Sequence, residues 1–260
     1  MNKENIINSF KGYEFFADDH HYEYNGVRVG TSVTTLIHEY TNFFDKDKMS
    51  EVVSKKTGES KEAILKKWEV SNLYSTIKGT LCHEYAQGLW NGVNIKADYT
   101  DISSDINIDE LRKSVNRINE QALKFYEDHK DLYTIVKDEF IIGDLDYDIA
   151  GSIDNLFLDK KNNLVMIDYK TNKKIDRESF RSKMMLKPLD NVMDCNYMHY
   201  CLQLNIYKII LEKNTDFKIG SVYIVYFDEQ KDNYEKIKIK NLYEESLRLL
   251  NTRVIRSIVD

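Results

Sequence analysis

Residues 151–171 read GSIDNLFLDKKNNLVMIDYKT, two apolar runs around the polar tetrad Lys160-Lys161-Asn162-Asn163. Runs of β-branched and aromatic residues parted by a short polar segment specify an antiparallel hairpin. A turn centred near Lys161 pairs residues whose numbers sum to about 322, which sets Asp154 opposite Asp168. Directly opposed Cβ atoms lie about 4.5–5.5 Å apart, so one face of the sheet receives two carboxylates, and Lys170, two residues on, shares that face. The alternation assigns Leu156, Leu158, Leu164 and Met166 to the same face and Ile153, Phe157, Val165 and Ile167 to the other, so both sides read as buried.

Two like charges about 5 Å apart repel by roughly 3 kcal/mol at an effective dielectric near 20, before any desolvation. A divalent cation turns that repulsion into binding. Mg²⁺ or Mn²⁺ takes oxygen ligands and commonly bridges one or two carboxylates to a phosphate. Such an ion also polarises a phosphoryl oxygen and acidifies water, while Lys170 would neutralise charge building on the phosphate or hold the attacking water. An Asp-x-Lys spacing by itself is equally what a lysine pairing with one aspartate at a sheet end leaves. The opposed Asp154 favours the cation, and the structural pairing stays open beside it.

Working outward, the spacing predicts extended stretches at 133–142, 145–158 and 163–170, an antiparallel meander with Gly143-Asp144 as its first turn. Upstream, His20 to Gly30 reads as a hairpin around Asn25-Gly26, and Ser32 to Tyr40 as a short helix followed by a polar connection through Asp47. Ser60 caps a helical pattern, with two helices expected to meet near Lys78-Gly79, and a further amphipathic helix is expected over 109–129. Downstream, 196–213 is helical by pattern, 219–228 and 235–240 return as strands, and 242–258 closes as a helix. No repeat or low-complexity segment interrupts this order.

A chain of 260 residues with net charge −6 repels nucleic acid as a whole, so any polyanion must meet a local basic patch. Between Lys173 and Lys187 six basic residues face two acidic ones, and Lys173, Lys174, Arg177, Arg181 and Lys183 are candidates for phosphate contact. Cys82, Cys195 and Cys201 are too few and too scattered for a disulfide framework or a zinc site, and buried thiols are expected. No stretch is long and apolar enough for a membrane span, and residues 1–10 carry charges where a secretory signal needs an apolar core, so a cytoplasmic location is expected.

Four separated segments together resemble the PD-(D/E)XK nuclease superfamily, in its RecB-like branch that includes phage exonucleases and the mitochondrial genome maintenance exonuclease. Gly79-Thr80-Leu81-Cys82-His83 is similar to that branch's GTxxH helix motif and Gly151-Ser152-Ile153-Asp154 to its GxxD strand. Asp168-Tyr169-Lys170-Thr171 is similar to its DxKT strand and Gln203-Leu204-Asn205-Ile206-Tyr207 to its QxxxY helix. The resemblance implies an α/β fold with a restriction-endonuclease-like core, a central mixed sheet with an antiparallel meander flanked by helices. One domain is expected over 1–260, with its core at about 75–240 and residues 1–74 as an elaboration. It further implies that His83, Asp154, Asp168 and the Tyr169 carbonyl bind metal, that Lys170 is the catalytic lysine, and that Gln203 and Tyr207 support the site and contact DNA. Glu139 is a candidate for a second cation or for orienting a ligand, and Thr171 joins the DNA-binding set. The third motif carries Asp where Glu is commoner, and the four-cysteine iron–sulfur signature of some relatives is missing, so no cluster is expected.

The activity implied is a Mg²⁺- or Mn²⁺-dependent DNase, an exonuclease on single strands or duplex ends in phage-like replication, recombination or repair. Two alternatives stay open: an endonuclease of the same fold, for which no base-reading element is identifiable, and a catalytically inactive DNA-binding module.

Overall fold

A computed structural model describes residues 3–259, with side chains through residue 254. The elements run α1 (Lys3–Asn8), β1 (Tyr13–Phe16), β2 (His21–Tyr24), β3 (Val27–Arg28), β4 (Thr31–Ser32), α2 (Val33–His38), α3 (Lys46–Thr57), α4 (Lys61–Asn91) and α5 (Ile108–His129). They continue β5 (Tyr133–Asp144), β6 (Ile149–Asp159), β7 (Leu164–Lys170), α6 (Asn196–Asn214), β8 (Ile219–Tyr226), β9 (Glu235–Lys238) and α7 (Tyr243–Val259). A 3₁₀ turn at Phe180–Ser182 lies in the basic connection between β7 and α6.

The hairpin of β6 and β7 forms in the register read from its turn: Asn155 pairs Ile167, Leu156 pairs Met166 and Leu158 pairs Leu164. β5 pairs antiparallel along the other edge of β6, β7 pairs parallel with β8, and β8 antiparallel with β9, which gives a mixed sheet. β6 shares one edge between two partners. β7 occupies it at 155–158 and β4 at Ile149 and Ala150, so on this edge the segment 151–154 has no described strand beside it. The ladder ends at Asn155 and Ile167, so Asp154 and Asp168 are not the directly paired residues that the turn count predicts: the strands part where they stand. There the Tyr169 N–H donates to Asp154 Oδ2 at 2.7 Å, a side chain taking the role of the ladder's carbonyl.

Helices cover both faces. One face packs Leu156, Leu158, Leu164 and Met166 against α6, α2 and Leu249 and Leu250 of α7. The other packs Phe157, Val165, Ile167 and Tyr169 against Cys82 and Ala86 of α4 and Ile118, Ala122 and Phe125 of α5. Each fully buried aromatic ring there contributes about 2–3 kcal/mol of hydrophobic stabilisation. All three cysteines are buried and free. Among the described residues no helix is long and apolar enough to cross a membrane.

Several local expectations need correction. Ile153 packs with Leu156 and Leu158 rather than with Phe157, so the two-residue alternation slips between them. The slip lies opposite Glu139, whose backbone sits at φ +39°, a conformation non-glycine residues rarely adopt. Gly143-Asp144 is strand and not turn: Gly143 is small because a Cβ would come within 2.1 Å of the Tyr13 ring. The turn falls instead at 145–148, where Asp144 Oδ1 accepts the N–H groups of Asp146 and Tyr147 at 3.0 and 3.2 Å. The two helices expected to meet near Lys78-Gly79 are one, α4, because an interior glycine disfavours a helix by only about 1 kcal/mol. Its neighbour Lys78 is buried and paired with Glu229 at 2.9 Å, which ties this turn of the helix to the rest of the fold. The polar connection through Asp47 is also helical: Asp45 caps α3, accepting from Lys48 N at 3.0 Å.

Candidate metal centre and nuclease site

Asp154 reaches the site from the fork between β6 and β7, and His83 comes from the middle of α4. The nearest approach, His83 Nδ1 to Asp154 Oδ2, is 3.6 Å. With Glu139 of β5 they form a group in which one donor atom from each lies within 4.8 Å of the others. Glu139 is held at both oxygens. Gln87 Nε2 donates to Oε1 at 2.6 Å, and Ser152 Oγ donates to Oε2 at 3.0 Å. Gln87 follows His83 by four residues on the same helical face, so the helix that carries the imidazole also aims the glutamate.

Asp168 stands beside this group, its side chain 3% exposed, with Lys170 Nζ 2.6 Å from Oδ2. The Lys170 ammonium is the ion-pair partner of this buried oxygen, and no other donor reaches it among the described residues. A buried carboxylate is costly unless something cationic uses it, and Lys170 does so here. Lys170 Nζ also lies 4.8 Å from the Tyr200 ring centroid, which fixes the ammonium between an aromatic face and a carboxylate.

The electrostatics follow from this crowding. Burial, and then the charge of Asp168, push the Asp154 carboxyl up to about 7, against the pull of Lys170 and the Tyr169 N–H. Glu139 is raised by burial and by Asp154. His83 is lowered by burial and by Lys170, which keeps its imidazole neutral and its lone pair free, while a hydrogen bond to the Tyr169 main chain works in the opposite direction. For Lys170 burial acts downward, but Asp168 and Asp154 outweigh it and the ammonium is held charged.

These donors fit a hard divalent cation. Two carboxylates and one imidazole gather within reach of one ion, and a third carboxylate, Asp168, acts on Asp154 through its charge, a donor set suited to a divalent cation. A family profile for the PD-(D/E)XK nuclease superfamily matches residues 44–258. The chain belongs to the PD-(D/E)XK nuclease superfamily. No curated protein matches it. Among solved structures it is similar to a chain from Eubacterium rectale provisionally described as an exonuclease, with 18% identity, TM-score 0.42 and 71% of this chain covered. The match spans 66% of that protein's length, just under two thirds. It is also similar to SSO0001, with 14% identity, TM-score 0.29, and 72% and 74% of the two chains covered.

Within this PD-(D/E)XK chain the remaining sequence-derived candidates sort by position. Thr171 lies against Gly79, its Oγ1 3.5 Å from where a Cβ would stand. Gln203 Nε2 donates to the Tyr207 hydroxyl at 3.1 Å, and the Tyr207 ring lies over Gly151, where a Cβ would come within 2.5 Å. Tyr207 is therefore buried, 3% exposed, and supports β6 from beneath; it has no surface to offer DNA, contrary to the sequence expectation. Gly151→Ala should lower stability by about 1–3 kcal/mol through this overpacking. An unchanged urea midpoint would mean that the ring moves aside freely.

Lys173, Lys174, Arg177, Arg181 and Lys183 are all exposed on the connection after β7. Lys174 is paired with Asp176, and Arg177 lies 3.8 Å from Glu235. Arg181 and Lys183 have no carboxylate partner among the described residues. Sequence reasoning missed Ser152, Gln87, Tyr200 and the hairpin residues Phe15, His20 and Tyr22. The last three line a cavity of about 660 Å³ together with His83, Glu139 and Asp154. The four-residue step from His83 to Gln87 was the one available signal; the hairpin carried none, since nothing local tells what a strand overhangs.

Proposed function

We propose that this PD-(D/E)XK protein is a divalent-metal-dependent deoxyribonuclease acting as an exonuclease on single-stranded DNA or duplex ends, in phage-like replication, recombination or repair. The observation that carries the reading is the gathering of His83, Glu139 and Asp154 within reach of one ion, beside the buried Asp168–Lys170 pair. A Mg²⁺ or Mn²⁺ ion would be held by His83, Asp154, Asp168 and the Tyr169 carbonyl, with Glu139 orienting or adding a ligand. When bound it supplies charge neutralisation at the phosphate and acidifies water.

The chain's own residues would do the rest. Lys170, held between Asp168 and Tyr200, would meet the phosphate oxygens as negative charge grows on them, or orient the attacking water. Gln87 and Ser152 would keep Glu139 from swinging away, and Tyr169 N–H would keep Asp154 turned inward. The exposed Lys173, Lys174, Arg177, Arg181 and Lys183 would draw the phosphate backbone toward a protein that is otherwise negative, which makes binding salt-dependent.

The test is digestion with Mn²⁺ of covalently closed single-stranded circles beside the same DNA linearised and labelled at either end. The linear strand should shorten from an end while the circle persists. Cutting of the circle would make the enzyme an endonuclease, and no release from either substrate would remove the nuclease reading.

A further inference from the structure

The hairpin of β1 and β2 carries four rings on one face. Tyr13 pairs Tyr24 and Phe15 pairs Tyr22 across the strands, with ring centroids 4.6 and 4.9 Å apart. The first pair is used in packing, because the Tyr13 ring fills the space that Gly143 leaves open. The second pair is only half-buried and lines the same cavity as His83, Glu139 and Asp154. Tyr22 lies close enough to the acids to register them: burial first, then Glu139 and Asp154, push its hydroxyl up to about 12. His20 stands edge-on to Phe15 at 5.0 Å and adds a polar rim.

Such a cavity makes two unlike demands on an occupant. Part of its lining presents groups suited to a cation and a phosphate, and part presents aromatic faces. A nucleotide with an unpaired base meets both, since its phosphate takes the first and its flat base stacks on the second. A space of about 660 Å³ is of the size that takes a small molecule or a nucleotide or two. Base–aromatic stacking is also indifferent to sequence, because every base has a π-face.

We propose that Phe15 and Tyr22 form a stacking wall for the unpaired base flanking the scissile phosphate, so that the hairpin selects single-stranded DNA at the site. This rests on the nuclease reading above. The two are positioning residues: they hold the nucleotide and leave the bond-breaking to the acids and Lys170. A strand that enters must be unpaired at the cavity, so a duplex end is used only after its terminal pairs open.

The test uses the full chain with Phe15→Leu and Tyr22→Leu combined, which keeps apolar volume under the hairpin but removes the ring faces. On a single-stranded oligonucleotide KM should rise roughly tenfold with kcat within about threefold, the split expected when ground-state and transition-state binding fall together. On the same strand carrying abasic residues at the digested end, the leucine variant and the unsubstituted protein should share the raised KM. Phe15→Tyr with Tyr22→Phe restores the ring faces and should restore the low KM. Equal losses on both strands, or no loss on either, would overturn the proposal. A separate reading without turnover comes from Asp168→Asn protein with Mg²⁺ and an oligonucleotide ending in 2-aminopurine. Quenching of its fluorescence that the leucine pair abolishes supports the wall even if no hydrolysis is ever seen, and an unquenched base overturns the wall even if hydrolysis is robust.

Discussion

Asp168→Asn should lower kcat by about 10³-fold or more, roughly 4 kcal/mol of transition-state stabilisation, while leaving the protein folded. The side chain is 3% exposed and nearly isosteric with its replacement, so packing around it is preserved. What changes is charge. The buried carboxylate becomes an amide, a far poorer ligand for a hard cation. The substitution also removes the like charge that helps push the Asp154 carboxyl up to about 7. The metal-free variant should therefore melt within a few degrees of the unsubstituted protein, and kcat with Mn²⁺ and a thermal melt in EDTA read the two quantities separately. Activity retained within tenfold would show that Asp168 does not take part in the chemistry.

Lys170→Met should give the opposite pattern of stability with a similar loss of rate. Its side chain is 17% exposed, and its ammonium lies 2.6 Å from Asp168 and is held charged by Asp168 and Asp154 against burial. Removing it leaves two buried acids facing each other uncompensated, which should destabilise the metal-free protein by about 2–3 kcal/mol. For a chain of this size that is a fall of roughly 5–10 °C in Tm. Added Mn²⁺ should recover much of the loss, because a cation compensates the same acids. kcat should fall about 10²–10³-fold. Lys170→Arg should not restore it, since a longer guanidinium engaged by the carboxylate and the Tyr200 ring spreads its charge and does not present a compact ammonium to the phosphate. A methionine variant as stable in EDTA as the unsubstituted protein would mean that the acids do not depend on the lysine.

The site these variants test could be anticipated because the register of β6 and β7 is written locally. The polar tetrad at 160–163 fixes the turn, the apolar runs fix the pairing, and Asn155 meets Ile167 as that turn requires. Caps are equally local: Ser60 accepts from Ala63 N at 3.2 Å at the start of α4. What stayed illegible depends on contacts distant in sequence. Gly79 reads as a break, yet the helix runs through it because tertiary packing outweighs a propensity difference of about 1 kcal/mol. Gly143 reads as a turn, yet it is small for the sake of Tyr13, 130 residues upstream. The face of Ile153 was misassigned because the alternation slips at the kink opposite Glu139, and an αL glutamate has no sequence signature. Phe15 and Tyr22 were invisible as site residues for the same reason: their pattern announces a strand, and only the fold decides that the strand overhangs the acids.

The most direct test of the central claim is anomalous diffraction from crystals soaked in Mn²⁺. A single strong peak within bonding distance of carboxylate oxygens from both Asp154 and Asp168, with the His83 imidazole beside it, is the predicted result. No peak there, or a peak whose ligands leave out Asp168, would contradict it.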